Sequence, residues 1–473
     1  MGRVTRRAFT VAALSTLAAA PGAAAAPQPP GASTAARQRR AAVTEMRGMW
    51  LATVNNRDWP SRTGLSAARQ RGELTALLDA AVRRRLTTVM FQVRPAADAL
   101  WPSPYEPWSQ FLTGTQGKDP GWDPLGTAVK EAHARGLQLH AWFNPYRVAL
   151  HADPSRLAAS HPARKHPDWV VSYGGQLYYD PGLPEVRAFV QKAMLDAVRR
   201  YPVDGVHFDD YFYPYPVAGH SFDDAAAYRR HGAGFASRAA WRRDNIDRLV
   251  RETAAGIRRI RPGARFGISP FGVWRNASTD KRGSATRAGI EAYDDLYADT
   301  RRWVREGWVD YIVPQLYWSI GQSAADYATL VPWWAKVARG SRTQLYVGEA
   351  LYRAGDATQG AAWRDPGELS RHLTLAKKYP QVRGHVFFAA KEVAADPAGA
   401  MARVVADHYR KPAKPRCDPA PRAPGPPGGR GSRPSVRGAR RQYCCCWRSS
   451  LCRTWQSGPG DITASCPSGK RTR

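Results

Sequence analysis

Between residues 41 and 410 the chain contains no cysteine; all six, Cys417, Cys444, Cys445, Cys446, Cys452 and Cys466, fall in its last 57 residues. This excludes a disulfide framework, a thiolate metal site and a cysteine nucleophile from the central part. Beyond the N-terminal leader, no apolar run approaches the roughly 18 residues of a membrane-spanning helix. No G-x-G-x-x-G opens a helix and no H-E-x-x-H occurs, so a dinucleotide site and a zinc-protease helix lack their usual sequence support. Gly and Pro, 41 and 37 of 473 residues, are too few for a collagen or a low-complexity chain.

What the chain does have is aromatic content and arginine. Seventeen Trp, 20 Tyr and 13 Phe, in a sequence that is 43% apolar, suffice for a large core. The net charge of +31 is unevenly placed. Residues 1–40 carry six arginines and no acid, and residues 411–473 carry 14 basic residues against Asp418 and Asp461. Removing both ends leaves +13 on residues 41–410, which a solvated arginine-rich surface explains without a nucleic-acid partner.

The first 26 residues read as an export signal. Thr5-Arg6-Arg7-Ala8-Phe9 is a twin-arginine pattern, and Ala23–Ala26 offers small-residue cleavage sites; a Sec-type signal is the alternative. No cysteine lies there to take a lipid, so no membrane anchor is expected. Residues 27–43 are expected to be a linker, and 44–410 one folded body that acts as a monomer. Residues 411–473, rich in Pro, Gly and Arg and then Cys, are expected to be a disordered or frameshifted tail.

Within the body one pattern recurs: a short β-branched or aromatic run, a polar or aromatic end, then an amphipathic segment. The runs are Gly48–Val54, Thr87–Arg94, Leu137–Asn144, Gly205–Tyr211, Phe266–Phe271, Tyr311–Tyr317, Leu345–Ala350 and Gly384–Ala389. Helices are expected at Ala67–Arg84, Pro184–Arg200, Trp241–Arg261 and Ala292–Glu306. Eight such alternations predict an α/β fold, a (β/α)8 TIM-type barrel. The long inserts 95–124 and 212–240 follow strands, where a barrel builds its active face.

The sharpest segment is Val203-Asp204-Gly205-Val206-His207-Phe208-Asp209-Asp210-Tyr211-Phe212-Tyr213-Pro214. Alternation would put His207, Asp209 and Tyr211 on one side, with the two carboxylates where the strand runs out. Adjacent carboxylates among aromatics are costly unless paired or used. Other strand ends carry side chains suited to sugars, whose apolar ring faces pack on aromatics and whose hydroxyls need polar partners. These are Trp50; Arg94 and Asp98; Trp142, Asn144, Tyr146 and Arg147; Trp274; and Gln315, Tyr317 and Trp318, with Tyr211 and Tyr213 beside the Asp pair.

Glu45-Met46-Arg47-Gly48-Met49-Trp50-Leu51, Phe91-Gln92-Val93-Arg94-Pro95, His140-Ala141-Trp142-Phe143-Asn144-Pro145-Tyr146-Arg147, the Gly205–Pro214 segment and Pro314-Gln315-Leu316-Tyr317-Trp318 resemble the family-10-like glycosyl hydrolases of bacteria. The resemblance spans roughly residues 43–410. It implies an exported barrel protein that cleaves a glycan, with peptidoglycan strands the favoured substrate. Many family members continue into a β-sandwich module, where this chain has its Arg/Pro/Cys tail.

Glycoside hydrolysis generally needs two carboxyl groups. Asp209 is expected to supply the first, with Asp210 orienting or substituting for it. Glu349, at a strand end, is the expected second, with Glu106 its rival and Asp98 and Glu392 behind. No cofactor and no metal are expected. A metal centre on His140, His207 and Asp209 and a non-catalytic glycan-binding barrel are the alternatives.

Overall fold

Eight short parallel strands close into a ring in the computed structural model, which describes residues 43–414. They are β1 (Met46–Leu51), β2 (Thr88–Arg94), β3 (Gln138–Phe143), β4 (Gly205–Phe208), β5 (Arg265–Ile268), β6 (Tyr311–Ile312), β7 (Gln344–Glu349) and β8 (Val382–Phe387). Each pairs with the next in sequence, and β8 closes on β1 through Gly384–Met46 and Phe387–Met49. The expected (β/α)8 barrel is the fold. The expected export signal, linker and tail lie outside the described residues, apart from Val43 and residues 411–414. Among the described residues no helix is long and apolar enough to cross a membrane.

Strand alternation sorts the core into two layers. Met49, Leu51, Val89, Phe91, Val93, Leu139, Phe143, Val206 and Ile268 point outward into the main hydrophobic cluster beneath the helices. Trp50, Met90, Trp142, Tyr311, Tyr346 and Val386 form a separate cluster inside the ring. Two glycines make that interior possible. A Cβ on Gly205 would lie 2.6 Å from the His140 ring, and one on Gly267 would lie 2.1 Å from the Tyr311 ring. Large rings on β3 and β6 thus fill space that their neighbours leave empty.

Three of the long helices between strands start on side-chain caps, which satisfy backbone N–H groups left free at a helix start. Ser66 accepts from Arg69 N ahead of Ala67–Arg83, Asp123 from Gly126 N ahead of Pro124–Ala134, and Ser237 from Ala240 N ahead of Arg238–Ile260. Pro184–Arg200 forms as expected. The helix expected over Ala292–Glu306 is confined to Thr300–Arg305. Asp299 caps it, and upstream the chain is tied instead to Glu291, whose Oε1 accepts from Asn276 N and Thr279 Oγ1.

The strands stop earlier than their apolar runs. β4 ends at Phe208 rather than Tyr211 and β6 at Ile312 rather than Tyr317, because the residues beyond peel into the loops at the carboxyl end. A three-stranded antiparallel sheet of Arg147–Ala149, Val170–Tyr173 and Gln176–Tyr179 was not expected. Its hairpin turns at Gly174 and Gly175, with φ of 55° and 77°, a conformation that favours glycine. It lies in the connection after β3, so it belongs to the barrel end that carries the site.

Candidate active site

Asp209 and Asp210 follow β4 directly, at the barrel end where strands run into long loops. They line a cavity of about 400 Å³ together with Trp50, Arg57, Trp142, Arg147, Tyr211, Tyr215, Gln315, Tyr317, Tyr352 and Phe388. Each lining residue sits on or just after a barrel strand, so the closed ring converges these side chains from distant points of the sequence.

Asp209 is held from β3. Its Oδ2 accepts from Trp142 Nε1 at 3.0 Å and from Asn144 Nδ2 at 3.1 Å, and its Oδ1 accepts from the backbone N–H of Tyr211 at 3.1 Å. Asp210 is held from other directions. Its Oδ1 accepts from Gln315 Nε2 at 3.0 Å, and its Oδ2 accepts from the Tyr215 hydroxyl. The two side chains belong to residues only 4% and 6% exposed. Burial, then the neighbouring charge of Asp210, pushes Asp209 up to about 6. Burial also raises Asp210, against the hydrogen bonds from Tyr215 and Gln315. The pair therefore keeps a proton well above the usual carboxylate range. Arg147, whose guanidinium donates to Pro95 O and lies 5.1 Å from the Tyr211 ring centroid, is the nearby positive charge that opposes this.

His207 does not stand beside Asp209 in the cavity. It is buried in the barrel interior, where Nε2 accepts from Trp50 Nε1 at 3.0 Å and Nδ1 lies 3.1 Å from the Tyr311 hydroxyl. Burial pulls it down to about 3, so it is neutral. The Tyr311 hydroxyl also meets His140 Nδ1 at 2.7 Å. His140 and His207 thus share a tyrosine rather than a metal with Asp209. Among the described residues no three His, Cys, Asp or Glu side chains assemble as a metal site.

The structure corrects both expectations for the second carboxylate. Glu349 is fully buried behind the cavity wall; Oε1 accepts from Tyr327 Oη at 2.8 Å and meets His385 Nδ1 at 2.9 Å, and Oε2 meets His372 Nδ1 at 2.8 Å. Despite burial its carboxyl is lowered, because His372 and His385 outweigh desolvation. Glu106 forms a fully buried two-pronged ion pair with Arg94, at 2.7 Å to Nε and 2.5 Å to Nη2. Arg94 spends its remaining nitrogen on the carbonyl oxygens of Asn144 and Pro145. Both acids hold the scaffold.

Other expected contact residues also fall outside the cavity. Asp98 is buried and raised to about 7 by desolvation. Tyr146 and Tyr213 are buried in the main core. Trp274 is buried with Nε1 on Asp299, and Trp318 packs on the edge of Phe271. Asn144 is buried and reaches the cavity only through Asp209. Among the lining residues that were not expected are one cation and three aromatics, Arg57, Tyr215, Tyr352 and Phe388. Phe388 immediately follows β8 and Tyr215 closes the Tyr211–Tyr215 aromatic run, so position after a strand was the available signal.

Residues 45–365 match the sequence profile of the glycosyl hydrolase-like 10 family. The chain is 48% identical over 371 residues to "Glycosyl hydrolase YngK" of Bacillus subtilis (strain 168), covering 78% of this chain and 72% of that one. It is 44% identical over 363 residues to "Glycosyl hydrolase DigH" of Escherichia coli (strain K12), covering 72% and 82%. Among solved structures, the PgaB (BpsB) glycoside hydrolase domain from Bordetella bronchiseptica superposes with a TM-score of 0.52 at 13% identity, covering 76% of this chain and 99% of that one. The last is a likeness of fold.

Proposed function

The chain belongs to the glycosyl hydrolase-like 10 family, and from that premise we propose that it hydrolyses glycosidic bonds of a bacterial polysaccharide, the glycan strands of peptidoglycan, outside the cytoplasm. One observation carries the reading: two buried adjacent carboxyls, one of them raised to about 6, open into an aromatic cavity at the carboxyl end of a barrel.

A glycosidic oxygen leaves only when it is protonated as its bond to C1 breaks. Asp209 suits the proton donor. Its Oδ2 accepts from Trp142 and Asn144, while Oδ1, which accepts from the Tyr211 N–H and lies 3.3 Å from Asn144 Nδ2, keeps the less crowded position from which a proton can pass to the leaving oxygen. Asp210 stays ionised under the Tyr215 and Gln315 donors and stabilises the positive charge that develops at the sugar ring. Trp142, Tyr211 and Tyr317 give ring faces for sugar stacking, and Arg57 and Arg147 give donors for hydroxyls. Residues 1–26 serve as the export signal, 44–410 as the catalytic body and 411–473 take no part in this chemistry.

The test is incubation of the purified protein with peptide-free wall glycan, followed by mass spectrometry of the products. Wild type is expected to release shorter glycans and Asp209→Asn to release none while keeping its fold. Undiminished release by Asp209→Asn overturns the assignment. Retention of the glycan on the protein with no release by wild type makes the barrel a binding module instead.

A further inference from the structure

Asp209 and Asp210 are the only carboxylates that line the cavity among the described residues. In the common two-carboxylate schemes the second carboxyl attacks C1, or activates the attacking water, from the face opposite the leaving group. Consecutive residues at the end of β4 share one wall. Around the eight-stranded ring β8 is the fourth strand from β4 in either direction, so Phe388 stands across the barrel from the pair. Its neighbours there are Trp50, Tyr352 and Tyr317, with ring centroids 6.1, 6.0 and 6.2 Å from the Phe388 ring. Arg57 caps that side over the Phe388 ring at 4.8 Å. Glu392, which follows β8, is bound to Arg57 at 2.9 Å and to Ala389 N at 3.2 Å. The wall opposite the Asp pair therefore offers aromatic surface and a cation but no carboxylate lining the cavity: Asp58 and Glu392, the acids nearest it, are both engaged by Arg57.

Resting on the glycosidase reading, we propose that the sugar cleaved is a 2-acetamido-2-deoxy sugar and that its own acetamido oxygen is the nucleophile, with Asp210 orienting the amide and Asp209 serving as acid and then base. Asp210 accepts one protein donor on each oxygen, from Gln315 and Tyr215, which leaves acceptor capacity for the substrate's amide N–H. The acetamido methyl lies against the aromatic wall.

In the first step the amide oxygen bonds to C1. The C1–O bond to the leaving sugar breaks, and the departing oxygen takes the proton from Asp209. The product is a cyclic oxazolinium ion whose N–H is held by the Asp210 carboxylate. In the second step water adds to C1, Asp209 removes its proton, and the bond from C1 to the amide oxygen breaks. The amide is restored, one glycosidic bond has been hydrolysed, and the anomeric configuration is retained.

The test uses wall glycan that is chemically N-deacetylated and then re-acylated with acetyl, fluoroacetyl, difluoroacetyl or trifluoroacetyl groups, treated with the full-length protein. Fluorine weakens the amide oxygen as a nucleophile, so the rate is expected to fall with each fluorine. The first product seen by NMR is expected to retain its configuration. Asp210→Asn is expected to lose about 100-fold or more in kcat on the acetyl glycan, the scale of removing one group that stabilises the transition state. Equal rates across the series, or an inverted product, overturn substrate assistance while the glycosidase reading stands. Failure of wild type to cleave any of the re-acylated glycans, acetyl included, overturns both.

Discussion

The side-chain amide of Asn144 lies 3.1 Å from Oδ2 of Asp209, while the backbone oxygen of the same asparagine accepts from Arg94. Arg94 is in turn locked to Glu106 with both groups fully buried. A loop acid 12 residues beyond Arg94 is thereby linked through two residues to the proposed proton donor. Glu106 contributes by fixing the β3 exit loop, not by meeting substrate.

Removing the Asn144 donor raises the cost of ionising Asp209. In Asn144→Ala the carboxyl loses a hydrogen bond that favours its charged form, so its pKa moves further above about 6. If Asp209 works protonated, the alkaline limb of kcat/KM moves to higher pH. A pH–rate profile that keeps its alkaline limb in place separates Asn144 from the proton donor.

Breaking the buried pair beneath that loop costs stability. Arg94→Met leaves Glu106 buried without its partner, a change that typically costs about 3–5 kcal/mol. Urea unfolding should show the loss as a lower midpoint with an unchanged slope. The double variant Arg94→Met/Glu106→Leu should recover much of it, because no charge is then stranded.

The raised carboxyl of Asp209 has a definite sign for stability. Its folded value, about 6, stands above the ordinary 3.8, so the folded state binds the proton more tightly than the unfolded chain. The associated stability is full below 3.8 and is lost as pH rises to about 6. Two pH units correspond to about 2–3 kcal/mol. Asp209→Asn lacks this titration, so its stability relative to wild type should improve by that amount between pH 3 and pH 8. Parallel curves of unfolding free energy against pH would contradict it.

His207 runs the other way. Its folded value, about 3, lies below the ordinary 6.5, so the unfolded chain binds the proton more tightly. Stability from this group is full above 6.5 and falls as pH drops toward 3. The ring should show no protonation between pH 5 and 8 in NMR of imidazole-labelled protein. Trp50 Nε1–H, which donates to His207, should keep one chemical shift across that range.

The barrel itself was legible because eight β-branched and aromatic runs alternate with amphipathic segments, and a right-handed parallel ring is the economical way to bury both. The Asp209–Asp210 pair was legible because its position after β4 fixes its end of the barrel. Glu349 was misread for a related reason. Strand-end position cannot tell an acid facing the cavity from one facing the helices, and the partners that decide it, His372 and Tyr327, lie on other elements. Phe388 and Tyr215 were missed because a single aromatic residue at a strand end looks like any core residue until the ring closes.

Glu349 offers the sharpest separation of scaffold from chemistry. Its two oxygens take Tyr327, His385 and His372 in a fully buried cluster, and His372 is raised by the same carboxylate that it lowers. Both shifts favour the charged pair. The Glu349 contribution is present above about 4.5 and lost as pH falls below it, whereas the His372 contribution is present below about 6.5 and lost as pH rises through its higher folded value. Stability from the cluster is therefore greatest between those limits. Glu349→Ala leaves His372 with Glu368 as its one remaining acid partner and removes the acceptor of the Tyr327 hydroxyl, and should cost about 3–5 kcal/mol, measured by urea unfolding at pH 6. At a temperature where the variant remains folded, kcat on wall glycan should stay within about threefold of wild type, far from the losses of 100-fold or more that follow removal of a catalytic group. A large loss of kcat in a folded Glu349→Ala protein would return this acid to the reaction; an unchanged kcat with a lowered unfolding midpoint leaves the chemistry to Asp209 and Asp210.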